Sequence, residues 1–253
     1  MSISIYRFIS IYITSFSFLI FNLYLSLKVI RRRPKNRLSQ QFFGLTISIS
    51  IALILNMIYA SFVDPNYQVL VTFLSVLTIY FLTFSSGFML LFMSSLYHPK
   101  IFENIKLQLA FLFLYGLILS GMFAIKDGVV ISIDNGIQSS PVWNLPFFLF
   151  NLIFILISSS LTLYIGYKNY QRFKSKLLRK KIGYLIKGTF LYYTILFSMG
   201  LFNFLNYTFL RILYVGFASL IFIAALFFYK GIGESVKKSF EEVFNGNDLY
   251  STT

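Results

Sequence analysis

Side chains able to do chemistry are scarce in this sequence, and their positions narrow what that chemistry can be. The single histidine, His98, stands in "YHPK", where an apolar run ends. A lone histidine before a proline fits a polar residue at a helix end, although an imidazole also titrates near neutral pH and could act as a switch. No cysteine is present, which excludes thiolate catalysis, disulfides and Cys-ligated metals. The acids Asp64, Glu103, Asp127, Asp134, Glu234, Glu241, Glu242 and Asp248 all fall between apolar runs or after the last one. Proton pumps and many ion-coupled transporters need ionisable groups at membrane depth, so those classes lose support. There is no phosphate-cradling glycine loop, no HExxH and no GxSxG. The expectation is a non-enzyme with no catalytic residue, no metal ligand and no cofactor.

One stretch is chemically rich. "YKNYQRFKSKLLRKKIGYLIKG", Tyr167 to Gly188, carries Lys168, Arg172, Lys174, Lys176, Arg179, Lys180, Lys181 and Lys187 and no acid. Nucleic acid is a poor partner for it. The net charge of +14 is divided among several short segments with no recognisable binding module around them. The plain reading is a marker of membrane sidedness that also attracts anionic headgroups, at about 1 kcal/mol per basic residue near the surface. No proline or strong turn signal interrupts the stretch before Gly183, so Tyr167 to Lys187 reads as helix extending past the bilayer. Arg172, Lys176 and Arg179 then share about one face. With Lys180 and Lys181 they form a candidate surface for anionic lipid of the inner leaflet or for a separate cytoplasmic signalling protein.

Apolar sequence must position these residues. The chain is 57% hydrophobic and 12% charged, against roughly 25% charged in soluble domains. Seven runs are nearly free of charge, at roughly Phe8–Leu27, Phe42–Val63, Val69–Tyr97, Leu107–Ile125, Leu145–Tyr167, Gly183–Asn206 and Phe209–Tyr229. In hydrocarbon the backbone must satisfy its own hydrogen bonds, so continuous runs of this length read as transmembrane helices. The fifth has Asn144 as an N-cap and Pro146 in its first turn. The first is too long for a signal peptide and is followed by basic residues, so it reads as a retained helix. Of the 22 basic residues, all but Arg7, Lys126 and Arg211 lie on one side of this arrangement. The positive-inside rule puts that side in the cytoplasm and the amino terminus outside. The fold expected is all-α: a polytopic cell-membrane protein with a seven-helix domain over residues 1–230 and a cytoplasmic tail over 231–253.

Polar residues inside these runs are Asn22, Asn56, Ser75, Thr83, Ser85, Ser86, Tyr115, Asn151, Ser158 to Ser160, Tyr192, Tyr193, Asn203 and Tyr214. Most are expected to make interhelical packing contacts and hydrogen bonds. Asn151, Tyr192, Tyr193, Asn203 and Tyr214 are the candidates for an outward-facing ligand pocket. The outer segment "KDGVVISIDNGIQSSPVWN", Lys126 to Asn144, combines a β-prone stretch with a turn signal and reads as a small hairpin over the outer mouth. Trp143 and many tyrosines fit the membrane interface. "NYT" at Asn206 to Thr208 matches a glycosylation acceptor on the outer side.

The order of features resembles a known family. Helix one runs into "KVIRRRPKNRLSQQFFGLTISISIAL", helix five into the arm "YQRFKSKLLRKKIGYLIKG", and helix seven ends in "FFYKGIGES". This is similar to the seven-helix sensory region at the amino terminus of certain prokaryotic membrane histidine kinases, over roughly Phe8 to Gly233. The resemblance implies a sensor module and carries over no site residue. Only Gly231 to Thr253 follow the last helix, with no phospho-acceptor histidine, so it implies a sensor without its own output domain. In that tail Val236, Phe240, Val243 and Phe244 fall on one helical stripe, an amphipathic helix for the inner leaflet or a partner. The leading expectation is a receptor-like module that binds an outside or membrane-borne ligand and signals to a separate partner. A small-solute permease and a structural subunit of a larger complex are the rivals, and oligomerisation stays open.

Overall fold

The computed structural model describes residues 9–32, 34–62, 64–99, 104–134 and 137–233. The tail stripe Val236 to Phe244 lies outside the described residues. Among those described there are seven α-helices: α1 (Ser15–Arg32, led by a π-helical turn Ile9–Thr14), α2 (Arg37–Ser61), α3 (Gln68–Tyr97), α4 (Ile105–Leu119, continued by a 3-10 segment Ser120–Ala124), α5 (Leu145–Arg172), α6 (Lys176–Leu205) and α7 (Thr208–Phe228, continued by a π turn Tyr229–Gly233). Strands β1 (Val129–Asp134) and β2 (Ile137–Trp143) lie between α4 and α5. Six helices are long and apolar enough to cross a membrane. The shorter apolar stretch, Gly216–Ile232, belongs to the end of the chain where α7 lies, and Arg211 sits in the first turn of that helix.

Asparagine starts three of the helices. Asn36 accepts from the backbone N–H of Leu38 at 2.9 Å and of Ser39 at 3.3 Å, Asn104 from that of Lys106 at 3.0 Å, and Asn144 from that of Phe147 at 2.9 Å. Each satisfies a donor that a helix start leaves without an intrahelical partner. Asn144 thus caps α5 with a proline in the first turn, as its sequence indicates. Asn206, at φ 54°, ends α6 in the left-handed conformation that asparagine tolerates.

The basic stretch is not one helix. α5 stops at Arg172, Phe173 is extended at φ −76° and ψ 121°, and α6 begins at Lys176 after Ser175. The break comes ten residues before Gly183 and needs no proline or glycine. Phe173 is buried at this corner, and its packing into the core drives the turn.

α1, α2, α3, α5, α6 and α7 pack in succession, and α7 returns to α1. α4 packs on α3 from outside this ring and buries little beyond Gln108, Gly116 and Leu119. α3 is the most enclosed helix, buried from Val71 to Leu96 along its inner face. Apolar side chains gather in two clusters. One lies towards the basic end, around Leu45, Met89, Met93 and Leu185, and the other lies below the hairpin, around Val71, Ile79, Trp143 and Phe147. The hairpin pairs Val129 with Trp143 and Val130 with Val142, then carries an irregularity between Ile131 and Ile133 beside Pro141, which has no N–H to give. Val129 and Ile131 face inward and Val130 outward.

Close helix contact depends on glycine at Gly188. A Cβ there would meet the Phe228 ring at 3.0 Å and the Ala224 carbonyl oxygen at 3.1 Å across the α6–α7 contact, whereas one at Gly216 would meet nothing within 4 Å. Gly188→Leu is expected to cost about 1–3 kcal/mol through overpacking. Gly216→Ala should be neutral or slightly stabilising. Unfolding in mild detergent measures both, and equal effects would show that the α6–α7 contact is not tight.

Candidate functional site

α6 places two tyrosines side by side, Tyr192 and Tyr193, both buried and edge to face at 5.7 Å. Tyr192 donates its hydroxyl to the Leu82 carbonyl on α3 at 2.9 Å and shares a short hydrogen bond with Ser85. Tyr193 shares one with Thr162 on α5 at 3.1 Å, and Thr162 in turn donates to the Ser158 carbonyl at 2.6 Å. Tyr115 reaches in from α4 and shares hydrogen bonds with Ser86 at 2.6 Å and Ser158 at 2.9 Å. Four helices are therefore tied at one level by neutral hydroxyl groups. In hydrocarbon each hydroxyl needs a partner within the protein, and these have them.

The inner face of α5 continues this polar column in both directions. Its buried positions run Phe147, Asn151, Ile155, Ser158, Thr162, Gly166 and Asn169 at helical spacing. Towards the basic end, Asn169 donates to the Met93 carbonyl at 3.0 Å. Towards the hairpin, Asn151 donates to the Phe147 carbonyl at 2.9 Å, while its Oδ1 has no partner among the described residues. Trp143 Nε1 also lacks one. Trp143 is 2% exposed, stands 5.1 Å edge to face with Phe147 and lies over Gly200, where a Cβ would meet its ring at 3.0 Å. A buried donor and a buried acceptor thus flank Phe147 beneath the hairpin.

The predicted pocket residues are distributed along the bundle rather than gathered. Asn151 lies beneath the hairpin, and Tyr192 and Tyr193 lie in the hydroxyl layer. Asn203 is half-buried one turn beyond Gly200. The side chain of Tyr214 lies outside the described residues. Trp143, read as an interfacial residue, is instead enclosed. The signal in its sequence is that Asn144 caps α5 immediately after it, which draws the end of β2 onto the helix. His98 occupies the C-cap of α3, its N–H bonded to the Ser94 carbonyl at 2.8 Å.

On the basic surface Arg172, Lys176, Arg179 and Lys180 are exposed, but Lys181 is buried. Arg172 donates to the Tyr97 carbonyl at the end of α3 at 2.6 Å, a cation at a helix C-terminus. Arg179 lies 4.8 Å from the Tyr170 ring centroid. The turn at Phe173–Ser175 puts Arg172 on α5 and the others on α6, so the three do not share a face of one helix. The chain matches no protein-family model, no curated protein and no solved structure.

The hydroxyl layer should behave as a coupled unit. A double-mutant cycle of Tyr115→Phe with Ser158→Ala is expected to give a coupling of about 0.6 kcal/mol and at most about 1.7 kcal/mol in detergent or bilayer unfolding. Zero coupling would mean that α4 is not pinned to α5 through this bond.

Proposed function

We propose that this chain is a multi-pass cell-membrane sensory module that receives a small neutral ligand beneath its hairpin and passes the change to a separate cytoplasmic signalling protein. The observation that carries this reading is a donor and an acceptor with no partner among the described residues, Trp143 Nε1 and Asn151 Oδ1, both buried next to Phe147. A hydroxyl or primary amide can accept from the first and donate to the second. Asn151 stands on the same α5 face as Ser158, Thr162 and Asn169, so a shift of α5 at the hairpin end acts on the hydroxyl layer. It also acts on Arg172 and its bond to α3 at the basic end. The likeness in charge order to kinase sensory regions agrees with such a route.

Seven spans belong to this proposal, with the amino terminus outside and the basic end in the cytoplasm. α7 has 21 residues, about 32 Å at 1.5 Å per residue, which matches a hydrocarbon core of about 30 Å. The basic residues Arg31, Lys106, Arg172, Lys176 and Lys230 lie at one end of their helices, and the hairpin belongs to the other. A permease reading has less support. Transporters commonly break helices at the binding site, whereas α3, α5 and α6 run 30, 28 and 30 residues without interruption.

Trp143 is the only tryptophan, so its emission reports on the site directly. Acrylamide, a primary amide, should quench it saturably in nanodiscs, and Asn151→Leu should remove the saturable component. Purely collisional quenching, identical in both proteins, would overturn the ligand site. For topology, the native chain has no cysteine. An impermeant thiol reagent added to intact cells should label Asn66→Cys and spare Lys174→Cys. The reverse pattern would invert the map. Gradient-driven solute uptake by reconstituted protein would favour the permease.

A further inference from the structure

We infer that the basic end of the α1–α7 contact is a binding site for an anionic phospholipid, with Lys28 and Lys230 holding its phosphate and Tyr229 and Tyr184 orienting the two lysines. α1 and α7 meet through Phe18 and Phe222, edge to face at 5.6 Å. One turn from the end of α1, Lys28 Nζ donates to the Tyr229 hydroxyl at 3.0 Å and to that of Tyr24 at 3.4 Å. The ammonium also lies 4.9 Å from the Tyr229 ring centroid and 5.3 Å from that of Tyr24. Lys230, the next residue after Tyr229, lies 5.8 Å from the ring centroid of Tyr184 on α6, and that ring is stacked on Phe227.

The turn that carries Tyr229 and Lys230 is held firmly. A Cβ at Gly231 would stand 2.6 Å from Leu185 Cγ and 3.2 Å from the Lys181 carbonyl oxygen, so the Tyr229–Gly233 turn lies directly on α6. The backbone that carries Lys230 is therefore fixed against α6, and Lys28 is oriented by tyrosines of α1 and α7. Their partners here are neutral hydroxyls and ring faces, which orient an ammonium without cancelling its charge. Among the described residues the acids are Asp64 and Asp127, in connections at the opposite end, and Asp134, the last residue of β1.

The apolar surface beside the lysines points to lipid as the source of the counter-charge. Below Lys28, α1 exposes Ile20, Tyr24 and Leu27, and below Lys230, α7 exposes Ile223 and Leu226. A phosphate at the level of the tyrosines with acyl chains along these residues matches both parts of the surface. A free anion or an acidic peptide would use only the upper part. The site shares Tyr184 with the α5–α6 arm but none of its basic side chains, and it does not depend on the sensory reading.

The test is lipid retention by the full chain, purified in mild detergent, exposed to phosphatidylglycerol and phosphatidylcholine and read by native mass spectrometry. The wild type should retain phosphatidylglycerol preferentially. Each of Lys28→Gln and Lys230→Gln should lower that retention about fivefold, and Lys28→Arg should largely restore it. Lys106→Gln, an equal loss of charge elsewhere, should leave it unchanged. An equal drop in that control would reduce the effect to net charge and overturn the site. Displacement of the lipid by millimolar inorganic phosphate would make the ligand a free anion and overturn the lipid assignment. Retention that appears only after Glu241→Gln and Glu242→Gln would name the chain's own tail as the occupant, with the same consequence.

Discussion

In hydrocarbon, every polar group must find its partner within the protein, and this constraint governs the rest of the molecule. For the backbone the answer is local: i to i−4 bonds along six helices long and apolar enough to cross a membrane. For side chains it is not local. Tyr115, Tyr192 and Tyr193 come from two helices, and their hydroxyls reach two others. Apolar packing alone separates helices from lipid only weakly, since lipid tails are as apolar as leucine. The hydroxyl layer therefore supplies the specificity that decides which helices are neighbours. Gly188 adds to it by letting α6 and α7 approach to backbone contact.

The two ends of the bundle solve the same problem differently. At the hairpin end, strands cover the core, and Trp143 is enclosed so fully that its indole N–H has no partner among the described residues. At the basic end, tyrosine rings hold the cations. Lys28, Lys168, Arg172, Arg179 and Lys230 each lie against at least one tyrosine ring. Rings of this kind let an ammonium or guanidinium stay at the membrane surface while the stem covers apolar protein. Between the ends, α3 is the common neighbour, bonded to α5 through Asn169, to α6 through Tyr192 and to α4 through Tyr115. Movement of any one of these helices must be accommodated by α3, and a satisfied polar network resists partial rearrangement.

Local chemistry was readable from residues alone. Apolar run length determined where the helices lie, since a bilayer sets that length, although α6 begins at Lys176, well before its apolar run at Gly183. Asn144 followed by Pro146 determined where α5 starts, and "VVISID" with its turn residues determined the hairpin, because caps and turns are decided by short-range hydrogen bonds. What only the tertiary structure decided is which way each residue faces. In water a buried face is apolar and the other polar, so periodicity reveals it. In these helices the lipid-facing side is as apolar as the core, and that signal disappears. Nothing local distinguishes buried Lys181 from exposed Lys180, or assigns Tyr192 to Ser85 and Tyr193 to Thr162. The corner at Phe173 likewise has no proline or glycine to mark it, because it is made by a phenylalanine packing into a core that other helices build.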